Sequence, residues 1–224
     1  MRPKTRVYID GFNLYHGAVE NTPYKWLNIR AMCVELLPRN EITHIKYFTA
    51  PATDTPHSPD RTVRQRIFWR ALDTLPHFTR YEGNFVANPK KYPLAGPRKF
   101  DDPDAENIVY AREGGPSWAV VQHMEEKGSD VNLATHLLAD GFRRVFDVAV
   151  VVTNDSDLVE PIRVVSKELL LPVGIVNPRP KYFSPKLADV ADFKRNLDKK
   201  LLRRCQFADE LRDGAGTFSK PKGW

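Results

Sequence analysis

The stretch Val145–Thr153 reads Val-Phe-Asp-Val-Ala-Val-Val-Val-Thr, and it decides the fold class. A nearly continuous run of apolar, mostly β-branched residues is typical of a central parallel strand that is covered on both faces. Apolar residues at helical spacing precede it over Ser129–Asp140, with Ser129 as the expected N-cap, and follow it over Asp157–Leu170. Pro172–Val176 is then predicted as the next strand. The centre of the chain therefore alternates between strands and helices.

The N-terminal part of the chain continues this alternation. Strands are predicted at Arg6–Asp10, Ile42–Thr49 and Phe78–Phe85, and the spacing of apolar residues predicts an amphipathic helix over Pro59–Leu75. Strands that alternate with helices are joined by right-handed crossovers and form a parallel sheet. We therefore predict an α/β fold, a three-layer α/β/α sandwich with a central, mainly parallel sheet of the Rossmann-like kind.

Three further regions complete the predicted domain organisation. Asn88–Pro116 contains five prolines and many charges, which predicts an insertion or a long surface loop before a short strand at Trp118–His123. Ala191–Phe207 is predicted as a last, basic helix, and the chain beyond Asp209 as a mobile tail. The predicted parts are a main domain over residues 1–180 with an insertion at about 88–117, a basic helical extension over 181–208, and a tail over 209–224.

Composition limits the classes of partner and compartment. The chain has 224 residues with 34 Lys and Arg against 28 Asp and Glu, and the resulting net charge of +6 favours a polyanionic partner. Its two cysteines, Cys33 and Cys205, lie far apart and suggest neither a disulfide framework nor a cysteine zinc site. No apolar run approaches the roughly 20 residues that cross a bilayer, and the N-terminus lacks a secretory signal. We therefore predict a soluble, cytoplasmic protein with no membrane partner.

Four aspartates fall where an open parallel sheet binds its ligands, beyond the carboxyl ends of the strands. Asp10 closes the first predicted strand, Asp155 and Asp157 follow the central one, and Asp130 opens the helix before it. Each acid alone is explained by an Asx turn, a helix dipole or a loop contact. Gathered carboxylates, however, repel one another unless cations lie among them, and Mg²⁺ or Mn²⁺ prefers such oxygen ligands. Together the four acids predict a divalent metal site.

Three short blocks of the sequence resemble a known family. Residues 8–13 read Tyr-Ile-Asp-Gly-Phe-Asn, residues 126–131 read Glu-Lys-Gly-Ser-Asp-Val, and residues 153–158 read Thr-Asn-Asp-Ser-Asp-Leu. In this order they resemble the signature blocks of the NYN domain family, which belongs to the PIN-like nucleases. The resemblance extends over about residues 5–177, apart from the proline-rich insertion.

The resemblance implies a PIN-like fold, a divalent metal held by acidic residues, and RNA as the usual substrate. Carried over position by position, the catalytic, metal-binding acids are Asp10, Asp130, Asp155 and Asp157. Asn13 matches the family's asparagine and is expected to orient Asp10 or a metal-bound water. The expected activity is therefore that of an Mg²⁺- or Mn²⁺-dependent (endo)ribonuclease, in which a metal-activated water attacks the phosphodiester bond.

One position departs from the resemblance. Many family members have an aspartate six residues after the acid of the second block, and here that residue is His136. The histidine is expected to act as a weaker metal ligand, as a phosphate contact or simply as a polar surface residue. The number of bound metal ions is left open by this substitution.

Several basic and polar residues are candidate contacts for RNA. Lys127 precedes a helix N-terminus, which attracts anions, and basic residues cluster on the helices predicted over 59–75 and 191–207. The same charges are also explained as solvated helix faces. The candidate RNA-binding residues are Lys127, Ser156, Arg64, Lys199 and Arg203.

Two other functions are consistent with the same residues. A chain of this fold could act as a non-catalytic RNA-binding or adaptor protein, because the metal count is open. The Asp155 and Asp157 pair also occurs as an Asp-x-Asp motif in small-molecule phosphatases, although that class places the motif on its first strand. Cleavage of single-stranded DNA and assembly into a homo-oligomer are left open by the sequence.

Overall fold

The computed structural model describes residues 1–54, 58–93, 118–179 and 181–224. The chain divides into two compact units, one made of residues 1–84 and 127–224 and the other of residues 85–126.

Six parallel strands form the central sheet of the first unit, which confirms the predicted α/β class. Every neighbouring pair of strands runs parallel. In spatial order the strands are β3 (Phe78–Glu82), β2 (Glu41–Thr49), β1 (Lys4–Asp10), β6 (Val148–Val152), β7 (Val173–Asn177) and β8 (Phe193–Asn196).

Helices cover both faces of this sheet, so the predicted three-layer sandwich is also confirmed. One face carries α1 (Gly11–Leu14), which a π-helical turn at Tyr15–Val19 continues, and α2 (Ile29–Leu36), α3 (Arg61–Asp73) and α7 (Lys199–Arg204). The other face carries α4 (Ser129–Phe142), α5 (Val159–Arg163) and α6 (Pro185–Val190), with a 3₁₀ turn at Ser156–Leu158 and a π-helical turn at Val164–Glu168.

The pleat of the strands explains why the two central strands are apolar throughout. Successive side chains point to opposite faces, so Val7 and Ile9 of β1 enter one core and Tyr8 enters the other. In β6, Val150 and Val152 enter the first core, while Ala149 and Val151 enter the second. Both faces are buried, and the strand has no position for a polar residue.

The second unit contains two paired strands, β4 (Asn84–Pro93) and β5 (Trp118–Lys127). The prediction of a surface loop over 88–116 is therefore wrong for residues 88–93; the remainder, over 94–117, lies outside the described residues. Prolines are tolerated here because both strands of a two-stranded sheet are edge strands. Lys90 Nζ donates to Glu125 Oε2 at 2.9 Å across the pair.

The predicted single helix over Ala191–Phe207 is wrong, because the segment forms β8 and then α7. Phe193 lies over Gly174 of β7, where an added Cβ would be 2.1 Å from the Phe193 ring. Asp198 follows the strand and caps α7, since its carboxylate accepts a hydrogen bond from Leu201 N at 2.7 Å. The local cap and the ring packing thus override the helical spacing of the apolar residues.

The chain beyond Asp209 forms a hairpin where the sequence predicted a tail without regular structure. Strands β9 (Glu210–Asp213) and β10 (Gly216–Ser219) pair antiparallel. Arg70 of α3 donates to both carboxylate oxygens of Asp213 at 2.6 Å. The Trp224 ring lies 6.4 Å from that of Trp26 in the core. The hairpin is therefore attached to the first unit.

Smaller differences concern the helices around the central strand. The N-cap of α4 is Gly128, with φ of 104°, and Ser129 is the buried first residue of the helix rather than its cap. The predicted helix over 157–170 consists of three short segments, with Pro161 in the first turn of α5. No helix among the described residues combines the length and the apolar character that a bilayer-spanning segment needs.

Candidate active site

Asp10 lies at the carboxyl end of β1 and joins that strand to α1. Its Oδ1 accepts a hydrogen bond from Asn13 N at 2.9 Å, and its Oδ2 accepts from Asn13 Nδ2 at 2.8 Å and from Thr153 Oγ1 at 3.0 Å. The turn requires glycine at position 11, because a Cβ there would lie 2.7 Å from Phe48 O. The backbone thereby fixes the carboxylate at the edge of the sheet.

The loop after β6 contacts the same carboxylate. Thr153, which donates to Asp10, accepts a hydrogen bond from Asp155 N at 3.1 Å, and Asp155 Oδ1 accepts from Asp157 N at 3.0 Å. Asn154 N donates to Asn13 Oδ1 at 3.3 Å. The first and third motif blocks therefore meet in one hydrogen-bonded network.

A third loop, after β7, is tied to this network by residues that sequence reasoning missed. Buried Asn177 donates from Nδ2 to Tyr182 O at 2.9 Å, and Asn154 Nδ2 donates to the same oxygen at 3.2 Å. Asn154 Oδ1 accepts from Ser184 N at 2.9 Å. The signal for Asn177 was its place as a polar residue directly after an apolar strand.

Burial dominates the electrostatics of Asp10. The side chain is almost fully buried, and this burial raises the pKa of its carboxyl above the ordinary value. Hydrogen bonds from Asn13 and Thr153 oppose the rise, whereas the nearby charge of Asp155 adds to it. None of the ion pairs found among the described residues includes Asp10. The carboxyl can therefore exchange a proton closer to neutral pH than an ordinary aspartate.

The four predicted acids differ in their surroundings. Asp10 and Asp155 meet through Thr153, Asp157 is exposed, and Asp130 is the partly buried second residue of α4. Among the described residues, no group of three or more His, Cys, Asp or Glu side chains is placed to hold a metal ion. The structure thus does not support the predicted assignment as a metal-binding protein; hydrogen bonds within the loops occupy both carboxylate oxygens of Asp10 and Oδ1 of Asp155.

The candidate RNA-binding residues lie on four different elements of the fold. Arg64 on α3 pairs with Asp60 and donates to Ser58 Oγ at 2.6 Å, while Lys199 and Arg203 lie on α7. Lys127 ends β5 and Ser156 opens the 3₁₀ turn near Asp155. RNA as a partner stays a prediction, as does homo-oligomerisation.

A second buried polar cluster, also missed from the sequence, lies between the sheet and α4. Asp140 Oδ2 accepts from Tyr8 Oη at 2.7 Å and from Lys46 Nζ at 2.6 Å, and lies 2.9 Å from Arg6 Nη1. Hydrogen bonds from Lys46, Tyr8 and Arg6 together outweigh burial and lower the pKa of the Asp140 carboxyl. Lys46 Nζ is also 3.3 Å from His136 Nδ1.

Comparison with known proteins gives one relative that spans the chain. None of the known protein-family models matches, so NYN membership stays a prediction. The chain is 30% identical over 245 aligned residues to 6-hydroxy-3-succinoylpyridine 3-monooxygenase HspA of Pseudomonas putida (strain DSM 28022 / S16). The alignment covers 99% of this chain and 75% of that protein.

A solved structure shows the same fold. The crystal structure of VPA0982, a protein of unknown function from Vibrio parahaemolyticus RIMD 2210633, matches with a TM-score of 0.54 and 15% identity, and covers 88% of this chain and 94% of that one. At this identity the similarity concerns the fold alone.

The prediction of a metal-dependent ribonuclease is wrong, as is the assignment to hydrolases. A relative that spans nearly the whole chain is named as a monooxygenase, which is an oxidoreductase. The physical reason for the error is that an arrangement of strands and loops does not determine the chemistry at its edge.

Proposed function

The chain belongs to the family of 6-hydroxy-3-succinoylpyridine 3-monooxygenase HspA, and from this premise we propose that it mono-oxygenates a hydroxylated pyridine or a related aromatic nitrogen heterocycle. The observation that carries the proposal is the 30% identity over 99% of the chain. We place the reaction at the edge of the sheet that contains Asp10, Asn13 and Asp155.

The proposed reaction consumes O₂ and an electron donor. At a ring carbon that bears hydrogen, one oxygen atom enters the C–H bond, the other becomes water, and a donor such as a reduced nicotinamide supplies two electrons. At a ring carbon that bears an acyl group, the bond between ring and acyl group breaks instead and the acyl group leaves as an aldehyde, so that two donor molecules supply four electrons. An ionised ring hydroxyl assists this step, because its oxygen delivers electron density to the carbon para to it. In the substrate named for the relative, positions 6 and 3 of the pyridine are para to each other.

Asp10 is the proposed base that takes the proton from the ring hydroxyl. Its raised pKa suits this role, since a general base is most effective when its pKa lies near the working pH. The hydrogen bonds from Asn13 and Thr153 hold both carboxylate oxygens and stabilise the ionised form. Asn13 and Thr153 are therefore positioning residues in the proposal.

An aromatic surface beside Asp10 supports a flat substrate. Phe12 and His16 follow Asp10 on the first helical segment, and their rings stack with an interplanar angle of 14° and a centroid distance of 6.3 Å. The side chain of Tyr182, whose backbone oxygen accepts from Asn154, is 61% exposed. Aromatic rings at such positions stack favourably on a pyridine.

We further propose that the family uses a NYN-like scaffold for oxidative chemistry. Supporting features are the parallel sheet and the position of the first and third motif blocks in one network at its carboxyl edge. A fold can host unrelated reactions, so this scaffold and a monooxygenase activity are compatible. A cytoplasmic location stays part of the proposal.

The test is oxygen incorporation by the purified chain. 6-Hydroxy-3-succinoylpyridine is incubated under ¹⁸O₂ with NADH, NADPH or chemically reduced flavin, while O₂ uptake is recorded with an electrode. We expect uptake that depends on substrate and one donor, and a product that carries a single ¹⁸O atom by mass spectrometry. Absence of ¹⁸O from the products of a panel of hydroxypyridines, with every donor, would overturn the proposal.

A further inference from the structure

We propose that His136 is a neutral hydrogen-bond donor to an acyl carbonyl oxygen of the substrate, and that Lys46 and Asp140 position it. This inference rests on the proposed function, because it assigns a group that recognises an acylated heterocycle.

His136 lies over the same row of the sheet as Asp10. In the strand register, Asp10 of β1 pairs with Phe48 of β2, and Phe48 pairs with Tyr81 of β3. The His136 ring lies 5.7 Å from the Phe48 ring and 4.0 Å from the Tyr81 ring, measured between centroids. Asp10 points to the same face as Tyr8 because the two are two residues apart in a strand. His136 and Asp10 are therefore separated by a short aromatic row.

Lys46 determines which ring nitrogen of His136 carries the proton. Its Nζ lies 2.6 Å from Asp140 Oδ2 and 3.3 Å from His136 Nδ1. An ammonium group has only donors, so Nδ1 must accept, and the ring hydrogen is assigned to Nε2. Lys46 is buried and held by Asp140, which in turn accepts from Tyr8. The tautomer is thereby fixed by a buried network.

The Nε2 atom of His136 is available to a ligand. Within the described ranges of the chain, the ring makes a hydrogen bond only through Nδ1, to Lys46. Among the residues that the structure describes, the buried polar side-chain atoms without a partner are Arg6 Nε and Gln206 Oε1, and His136 Nε2 is not one of them. Nε2 is therefore reached by solvent while its hydrogen has no protein acceptor.

Burial and the neighbouring charges keep the His136 ring neutral. Burial lowers the pKa of His136, the charge of Lys46 lowers it further, and Arg143 adds a smaller effect in the same direction. Asp140 opposes them but is already paired with Lys46. Tyr81, which packs on the ring from β3, is un-ionised at neutral pH because burial raises its pKa. A lysine in contact with Nδ1 also disfavours a bound metal cation at this histidine.

The two groups match a heterocycle with oxygen substituents at opposite ends. The base at Asp10 takes the proton of the ring hydroxyl. The Nε2–H of His136 donates to the carbonyl oxygen of the acyl group, which is attached para to that hydroxyl. Where the bound ligand itself shields the N–H donor from water, the site discriminates against an analogue that lacks the acceptor, since the donor is then left unpaired. His136 thus selects acylated over unacylated hydroxypyridines.

Ligand binding without oxygen tests this inference separately from catalysis. Absorbance titrations under nitrogen measure the Kd of 6-hydroxy-3-succinoylpyridine and of the analogue whose ketone is reduced to a methylene. We expect His136→Leu to weaken binding of the ketone about 10- to 100-fold, and of the methylene analogue less than about 3-fold. His136→Gln, which keeps an N–H donor, should restore most of the ketone affinity, and Thr135→Ala on the same helix serves as the control.

The tautomer is tested in the wild-type protein by ¹⁵N NMR of histidine-labelled chain. We expect a protonated Nε2 and an unprotonated Nδ1 at pH 7, and loss of this pattern in Lys46→Met. The opposite tautomer, or equal weakening of both ligands by His136→Leu, would overturn the inference. Selective binding without ¹⁸O incorporation would instead contradict the proposed function and leave His136 as a recognition residue.

Discussion

Asp10 and Asp140 are two carboxyls buried against the same face of the central sheet, yet they have opposite surroundings. Asp10 is 3% exposed and accepts only from neutral donors, whereas Asp140 is 4% exposed and is paired with Lys46 and Arg6. The exposed fractions are similar but the neighbours differ: burial raises the pKa of Asp10, whereas at Asp140 the hydrogen bonds from Lys46, Tyr8 and Arg6 outweigh burial and lower the pKa. A buried acid without a cation suits proton transfer, while one among cations suits structure.

The largest loss of stability is expected when Asp140, the acid that is paired with cations, is removed. Asp140→Ala leaves the buried Lys46 and the partly buried Arg6 near each other without a counter-charge, and breaking a buried ion pair typically destabilises a protein by about 3–5 kcal/mol. Urea unfolding followed by circular dichroism measures the change. The exposed Asp189→Ala is the matched control, with an expected change within about 0.5 kcal/mol. A loss for Asp140→Ala no larger than that of the control would contradict the structural role.

Substitution of the unpaired acid should reduce catalysis more than stability. Asp10→Asn removes the proposed base but keeps the shape of the side chain. We therefore expect kcat/KM for the oxygenation reaction to fall about 10²- to 10⁴-fold. Its unfolding free energy should change less than that of Asp140→Ala, because no buried cation loses its partner. Oxygen uptake and urea unfolding are measured on the same preparations, with Asp189→Asn as the control. Retained activity in Asp10→Asn would remove Asp10 from the mechanism.

The two acids should also give stability opposite dependences on pH. The lowered pKa of Asp140 means that its stabilisation is complete above the unfolded-state pKa of about 3.9 and is lost as pH falls through the folded value. The raised pKa of Asp10 means the reverse, because the folded state binds the proton more tightly: stability declines as pH rises from about 3.9 through the folded value.

Unfolding free energies of matched variants isolate each contribution. The unfolding free energy of the wild type, relative to that of Asp10→Asn, should fall between pH 4 and pH 8. The difference between wild type and Asp140→Asn should favour the wild type above pH 4 and shrink as the solution is acidified. Parallel curves for wild type and Asp10→Asn would show that the carboxyl of Asp10 has an ordinary pKa.

The same comparison explains how much of the molecule could be predicted from the sequence. Asp10 and Asp155 were found because they lie next to strand ends, where a local pattern of apolar residues marks the edge of the sheet, and Asn13 was found because it matches the first block of the family resemblance. Asp140 was missed because its partners Tyr8 and Lys46 are 132 and 94 residues away, and no local pattern records such a contact.

Local patterns also misled where tertiary contacts prevailed. Phe193, Leu197 and Leu201 have helical spacing, but Phe193 fills the space above Gly174 in a strand and Asp198 starts a new helix. The function was mistaken for a related reason. Acids at a sheet edge are compatible with metal binding and with proton transfer, and only their hydrogen-bond partners distinguish the two.

The smallest expected effect concerns the hydrogen bond that ties Asp10 to the central strand. Thr153→Val keeps the volume of the side chain but removes the donor to Asp10 Oδ2, and that hydrogen bond lowers the pKa of Asp10. The pKa should therefore rise further, and the acidic limb of the kcat/KM profile should move up by about 1 pH unit, equivalent to about 1.4 kcal/mol. Thr153→Ser retains the hydroxyl and should leave the limb in place. An unmoved limb in Thr153→Val, with kcat/KM lowered equally at every pH, would mean that Thr153 supports the loop through Asp155 N rather than the ionisation of Asp10.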